Sequence, residues 1–471
     1  MVRLLSLFVL LVTLQQSNAQ SGWTLQMAID HALQNNLTIK QGQLTLANSQ
    51  LNYIQSKEAL LPSVSGFANH NFSFGRNINP VNNTYVQQNV QSSQFGISSQ
   101  VVLFSGLQNA NTVKLNRINT EVSKKDLEVI SNSISLQIAT QFLQILFNGE
   151  IVKTYEVAIV STQKQLETAN ILFLAGNTNQ SSVYELEAKL ASDKLNLVTS
   201  QNNYRLALVG LANLLQVPFD ESFKIESPQV GVPEETILEG TATIYDKASK
   251  TMPEIELSIL KYKASLMQHT ISKGNYYPTL SLSANVSTLF SNNFKEVINP
   301  HTVIVPIGYV QTTNDVVVSQ SYGYDGTKTR SFSNQVNDNL GKSVGFSLNI
   351  PIYSNARTRT SVKQAAILTE QQKLNMLRTQ NELFTSVATA VANYTGAKAK
   401  FIALTEALNS QKKNYEFNKL RFDAGALSST DLVISQTNYE TAEANLLQGK
   451  YDLVFRKVLL DFYRGKPLVL K

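Results

Sequence analysis

From Thr279 to Phe290 the apolar residues Leu280, Leu282, Ala284, Val286 and Phe290 fall on one parity. The positions between them, Thr279, Ser281, Ser283, Asn285 and Ser287, are small and polar. Val344, Phe346, Leu348, Ile350 and Ile352 alternate in the same way with Gly345, Ser347 and Asn349, and Phe95, Ile97, Val101 and Leu103 with Gln94, Gly96, Ser98 and Gln100. A period of two predicts strands with one apolar face. A less regular run before Gly75 puts Val64, Phe72 and Phe74 on one face and supplies a fourth strand. Each run has about 10–12 residues, close to the ~9–11 that cross a bilayer as a tilted strand. The polar face carries almost no charge and little bulk, which suits a water-filled lumen. The connections Arg76 to Gln91 and Ser291 to Leu340 are rich in Asn, Ser, Thr and Tyr. They are expected to be long polar loops on the outer side of a membrane barrel.

Elsewhere the pattern is helical. Residues 105–172 contain no proline, and Gly149 is the only glycine after Gly106; residues 354–421 contain no proline and only Gly396. A helix of ~67 residues is ~100 Å long, more than a globular domain uses. Val183, Leu190, Leu197, Tyr204 and Leu211 recur every seventh position, as do Leu432, Tyr439, Leu446, Leu453 and Leu460. A second heptad position is often small: Ser200 and Ala207, then Ser435, Ala442 and Gly449. Sustained sevens predict coiled-coil packing. Gly176 and Gly425 fit the left-handed position that ends a helix, and so mark the far tips.

The chain repeats itself. Ser56, Lys57, Pro62 and Ser65 recur as Ser272, Lys273, Pro278 and Ser281, an offset of 216. Gly96, Ser98 and Ser105 recur as Gly345, Ser347 and Ser354, and Phe173, Ala175 and Gly176 as Phe422, Ala424 and Gly425, an offset of 249. The second copy therefore carries 33 extra residues between Ser281 and Gly345. The first repeat is expected over 20–243: a helix, a strand hairpin at 62–104, a long helix at 105–172, a return helix at 178–215, and an equatorial segment at 216–243 containing Pro218, Pro228 and Pro233. The second is expected over 244–471, with its hairpin at 278–353, long helix at 354–421 and return helix at 427–464.

Composition narrows the possibilities. Arg3, the apolar run Leu4 to Leu14 and Ser17-Asn18-Ala19 read as a signal peptide over 1–19, cut before Gln20. The apolar run is too short to span a bilayer, and no later segment reaches the ~20 residues required. A membrane-spanning form must then be a barrel, because only helices and closed barrels satisfy the backbone in lipid. Four strands cannot close one, since eight is the usual minimum. Open edges make oligomerisation a physical requirement. There is no cysteine, so disulfides, thiolate metal sites and a lipidated N-terminal cysteine are excluded.

The net charge of +6 is spread among acidic residues with no basic cluster, which argues against nucleic acid. His31, His70, His269 and His301 are not paired at metal-ligand spacing. The chain has no H-E-x-x-H, G-x-S-x-G or phosphate-binding Gly-Lys loop. No enzyme activity, metal or cofactor is expected. Paired carboxylates lie on helices beside lysines and are expected on solvated faces.

Trp23-Thr24-Leu25 with Ala28, Ala32-Leu33 and Asn35-Asn36, then Leu61-Pro62, Ile350-Pro351-Ile352-Tyr353, and Phe422-x-x-Gly425 followed by Asp431-Leu432 occur in order, within a duplicated frame. In these features the mature chain resembles the TolC-type outer-membrane efflux family, the outer membrane factors. The resemblance implies an α+β membrane protein. Each protomer would give four β-strands to a shared trimeric 12-stranded barrel in outer-membrane lipid, above a long α-helical coiled-coil tunnel in the periplasm. It implies a passive conduit, served by a periplasmic adaptor (membrane fusion) protein and an inner-membrane pump of RND, ABC or related type. It also implies a gate at the periplasmic tip. Asp431, Phe422 and Gly425 match the family motif there, and Phe173, Gly176 and Ser182 are their first-repeat equivalents. Acidic rings at such an aperture favour cations. Ile434 stands where relatives often carry an acid, and the first-repeat equivalent of Asp431 is the uncharged Ser182, so this gate is expected to hold fewer carboxylates. Asp431 also reads as a helix N-terminal charge with Ser428 to Thr430 as caps. The alternative to a duct is a secreted coiled-coil scaffold or adhesin stalk, which has no use for four strands of bilayer length.

Overall fold

The computed structural model describes residues 22–78, 83–87, 89–220, 222–228, 231–233 and 239–468. The expected signal peptide and parts of the expected equatorial segment lie outside these residues. The chain divides into two compact units: Leu51–Arg117 with Ala264–Thr369, and the remaining segments, including Ile118–Lys263 and Glu370 onward.

The first of these units holds the strands. β1 (Ser63–Ser73), β4 (Val90–Ser105), β5 (Thr279–Ser291) and β10 (Gly341–Asn349) form one antiparallel sheet in the order β1-β4-β5-β10. Because side chains alternate between faces, the register decides what each face carries. One face stacks Ser65, Ser98, Asn285 and Ser343 in one row and Ser63, Gln100, Ser283 and Gly345 in the next. The opposite face carries Val64, Ile97, Val286 and Val344, with Phe346 and Leu348 further along β10. On the polar face, Gly96 leaves room for the Phe67 ring: a Cβ there would lie 2.7 Å from it. Hydrogen bonding stops at β1 and β10, the two open edges.

One bulge and two strand ends differ from the alternation: between Val102 and Phe104 the register with β5 shifts, so Phe104 rather than Leu103 stands opposite Leu280. Phe74 falls beyond β1, and Ile350 and Ile352 fall beyond β10. Pro351 lacks the N–H that would continue the ladder there. The connections are not the plain polar loops expected from composition. β2 (Arg76–Ile78) pairs with β3 (Tyr85–Gln87) in the first. In the second, β6 (Lys295–Ile298) pairs with β9 (Gly326–Thr329), and β7 (His301–Tyr309) with β8 (Val316–Gly323). A short helix, α7 (Phe332–Asp338), follows and packs Phe332 against Phe95 and Phe290 of the sheet.

The other unit is helical. Its elements are α1 (Leu25–Asn35), the start of α2 (Leu37–Glu58), most of α3 (Gln108–Leu174), α4 (Gln180–Leu215), α5 (Thr241–Thr251), part of α6 (Pro253–Gly274), most of α8 (Arg357–Asp423) and α9 (Ser429–Tyr463). The long helices α3 and α8 have 67 residues each. Element starts obey the two offsets: Leu25 to Thr241 is 216, and Gln108 to Arg357 is 249. Asn36 separates α1 from α2 by leaving helical geometry (ψ 131°); its side chain donates to the Leu214 carbonyl and accepts from the Thr38 N–H. The equivalent break precedes Pro253, which tolerates the first helical position.

Two matching cores follow. α1 packs Ala28 and Ala32 on Ile138, Phe142 and Ile145 of α3 and Leu211 and Leu215 of α4. α5 packs Ile244 and Ala248 on Val387 and Tyr394 of α8 and Leu453 and Leu460 of α9. Along α4 and α9 the small heptad positions Ser200, Ala207, Ser435, Ala442 and Gly449 are all buried, whereas of the large ones Leu190, Leu197, Tyr204, Tyr439 and Leu446 are only half-buried. A Cβ on Gly449 would stand 2.6 Å from Leu404 Cδ1, so α8 and α9 approach closely there. Among the described residues, no helix is long and apolar enough to cross a membrane.

Candidate functional site

The two helical hairpins end alike. At the end of α3, Gly176 N–H donates to the Phe173 carbonyl and Asn177 N–H to that of Leu172. At the end of α8, Gly425 N–H donates to Phe422 and Ala426 N–H to Arg421. Both glycines are left-handed, with φ of 73° and 72°, which lets the last carbonyls be satisfied as the chain reverses.

The helices that follow are capped differently. Asn179 Oδ1 accepts from the Ser182 N–H at 3.0 Å and from Ser182 Oγ at 3.1 Å, and Thr178 donates to Ser182 Oγ. Ser182 is thus a buried member of a cap. Ser428 Oγ accepts from the Asp431 N–H and donates to Asp431 Oδ2 at 2.7 Å. Asp431 is exposed and lies in the first turn of α9, where the helix dipole favours its charge. The two phenylalanines also part company. Phe422 is 3% exposed, in a cluster with Ala169, Val183, Leu186 and Leu432. Phe173, its repeat equivalent, is 38% exposed.

Contacts that sequence reasoning missed join the two hairpins. Glu185 of α4 accepts from Ser429 Oγ at 2.6 Å and Thr430 Oγ1 at 2.8 Å, at the start of α9. Further along, Lys189 Nζ lies 2.6 Å from Asp193 Oδ1 and 2.5 Å from Glu440 Oε2. The expectation of solvated carboxylate pairs fails here: the side chains of Lys189, Asp193 and Glu440 are 8%, 0% and 11% exposed. α4 turns Lys189 and Asp193 toward α3 and α9, so their i, i+4 spacing faces a seam. Thr162 donates to Asp193 Oδ2, and Gln436 donates to Thr162 Oγ1 and Glu440 Oε1. Gln165 donates to the Tyr415 hydroxyl, whose ring stacks on Tyr439 at 5.4 Å. Gln165 Oε1 and Gln436 Oε1 are buried and accept no hydrogen bond.

Burial opposes charge on Lys189, but hydrogen bonds and charge from Asp193 and Glu440 outweigh it and hold the ammonium above the usual lysine value of 10.5. Desolvation raises Glu440 above the usual carboxylate range, with Lys189 pulling the other way. Glu443 is raised by burial, as is the Tyr415 phenol. Lys189, Asp193 and Glu440 together carry one net negative charge when all three are charged, and burial favours the protonated form of Glu440. The seam's only visible sequence signal was Lys189 four positions before Asp193, which reads as a surface pair. Among the described residues, no group of three or more His, Asp or Glu is placed to hold a metal ion.

Residues 28–216 and 312–465 match the family model described as outer membrane efflux protein. The fold is similar to that of the CmeC outer membrane channel of Campylobacter jejuni, with a TM-score of 0.76 at 17% identity, covering 94% of this chain and 85% of that one. The outer membrane protein VceC of Vibrio cholerae gives a TM-score of 0.75 at 15% identity, covering 94% and 97%. The open state of the MtrE outer membrane channel of Neisseria gonorrhoeae gives 0.69 at 16% identity, covering 94% and 89%. No curated protein sequence matches this chain.

Proposed function

Because this chain belongs to the outer membrane efflux protein family, we propose that it assembles as a homotrimer whose twelve strands close one outer-membrane barrel, serving as a passive export duct. The observation that carries this reading is the two-faced, open-edged sheet. Val64, Val344 and Phe346 are each 71% exposed on one face, where a soluble protein would bury them. Fully burying such a side chain is worth about 1.5–3 kcal/mol, so a sheet bearing this face favours lipid over water. The Ser, Asn and Gln rows opposite suit an aqueous lumen. β1 and β10 end the sheet with unpaired backbone groups, which further copies satisfy. The number three comes from the family resemblance.

In this reading a periplasmic adaptor and an inner-membrane pump of RND, ABC or related type deliver the cargo and supply the energy. The tips form the gate. Gly176 and Gly425 make the reversals, Asn179 and Ser428 cap the return helices with Ser182 and Asp431 as their bonded first-turn partners, Phe422 anchors the tip core, Phe173 stays outward, and Asp431 sets the charge at the aperture. Opening separates α9 from α4, which breaks Glu185 from Ser429 and Thr430 and Lys189 from Glu440.

The test is reconstitution of full-length protein purified from outer membranes. An oligomer that dissociates on heating and ion conductance in a planar bilayer are expected. A soluble monomer without conductance overturns the duct and favours a secreted stalk.

A further inference from the structure

The second connection of the sheet carries an apolar surface that is exposed among the described residues. In the β7–β8 ribbon, Thr302 pairs with Tyr322, Ile304 with Gln320, Pro306 with Val318 and Tyr309 with Val316. The shift at Pro306/Gly308 leaves Ile307 as an extra residue and keeps the later pairs on the same face. One face of the ribbon is therefore a stripe of Tyr322, Ile304, Val318, Tyr309 and Val316. These are 88%, 67%, 53%, 68% and 52% exposed.

Between His301 and Tyr324 the only carboxylate is Asp315, and there is no Lys or Arg. Charged edge residues, a common guard against strand association, are thus nearly absent. A two-stranded ribbon is at best marginally stable alone in water.

Lipid does not suit this stripe. In chain order the ribbon is set off from β5 and β10 by the β6–β9 pair, which is charged. Lys328 meets Glu296 at 3.3 Å, Arg330 meets both Glu296 and Asp338, and Lys295 donates to Thr329. A collar of ion pairs belongs at or beyond the headgroups, so the stripe lies in the aqueous exterior and needs a protein to cover it. The segment also grows from the β5–β10 hairpin, and β10 is an open edge of the sheet. In a barrel closed through that edge, the segments leaving this hairpin in neighbouring copies rise from the same rim, so the next copy is the nearest protein surface to the stripe.

We propose that the apolar face of the β7–β8 ribbon is an interface between copies of this chain, with three ribbons packing together over the outer mouth. This rests on the duct reading above. The contact is made outside the membrane, by a segment in whose place the first repeat has, among the described residues, the short β2–β3 pair.

The chain has no cysteine, so single cysteines report contacts on a clean background. Val318→Cys lies on the stripe and Ser319→Cys on the opposite face; Tyr322→Cys is a second stripe position should Val318→Cys fail to fold. Each is expressed in outer membranes and treated with an oxidant or a short bismaleimide, then heated in SDS. The expected result is a heat-stable dimer band from the stripe cysteines and none from Ser319→Cys, with conductance retained. A heat-sensitive trimer that conducts but yields no dimer band from either stripe position overturns the ribbon interface and leaves the duct standing. Cross-linking to a band of another mass overturns it in favour of a different partner protein. Protein that neither oligomerises nor conducts overturns both readings.

Discussion

Replacing Lys189 by Met tests whether the buried seam holds the two hairpins together. Methionine keeps the aliphatic bulk and removes the one cation shared by Asp193 at 2.6 Å and Glu440 at 2.5 Å. All three side chains are nearly inaccessible, so solvent screening offers little relief. Removing one partner of a buried ion pair costs about 3–5 kcal/mol, because the remaining charge is left uncompensated. Two carboxylates now face one cavity wall, and the cheapest response is protonation of Glu440, which burial already favours. The defect of Lys189→Met should therefore be largest near neutral pH and shrink as pH falls through the carboxylate range. In the native protein the sign runs the other way at high pH. Lys189 has its pKa raised above 10.5, so its contribution is complete below that value and is lost as pH rises through the raised pKa. The assay is thermal unfolding of the purified oligomer in detergent between pH 5 and 11. A loss of several degrees at pH 7 is expected, since ~1 kcal/mol is roughly 2–4 °C for 150–250 residues and less for longer chains. The difference from native protein should narrow at both ends of the range. A Lys189→Met oligomer as heat-resistant as the native one at pH 7 refutes the reasoning.

Other outcomes follow from the same geometry. Phe422→Ala should cost about 3–5 kcal/mol of stability, the range for a buried aromatic, and Phe173→Ala much less, because it is 38% exposed; equal losses in calorimetry would contradict the broken symmetry of the repeats. Gly425→Ala has open space for its methyl but a φ of 72°, so strain alone should cost about 1–2 kcal/mol, seen in denaturant unfolding. Phe346→Arg places a charge on the apolar sheet face and should reduce folded protein in the outer membrane, at about 2–4 kcal/mol near mid-bilayer. Ser347→Arg, on the polar face, should fold and change ion selectivity instead; equal yields of the two in membrane fractions would count against the assignment of the faces.

Local periodicity explains what was readable in advance. The strands of the sheet and the long helices show in the sequence because side-chain direction repeats every two or 3.6 residues whatever the chain later packs against. The 216 and 249 offsets show because Gly and Pro landmarks answer to backbone geometry, as the left-handed Gly176 and Gly425 do. The β7–β8 ribbon was hidden because its stripe is assembled across two strands. Ile304 and Val318 become neighbours only through the register, and the flanking Asn, Ser and Thr make the segment look like a polar loop.

The same limit applies at the tips and the seam. A repeat makes Phe173 and Phe422 equivalent in sequence, yet only the packing of Val183, Leu186 and Leu432 buries one of them. Lys189 and Asp193 look like a surface pair because a heptad says that a residue faces a partner without saying which one. α3, α4 and α9 had to come together before Thr162, Gln436 and Glu440 closed around them. What the sequence determined by itself was the set of elements and the faces they present, which are properties of the backbone and its immediate neighbours. Tertiary structure alone decided which charges lost their water, because desolvation depends on atoms far away in the chain.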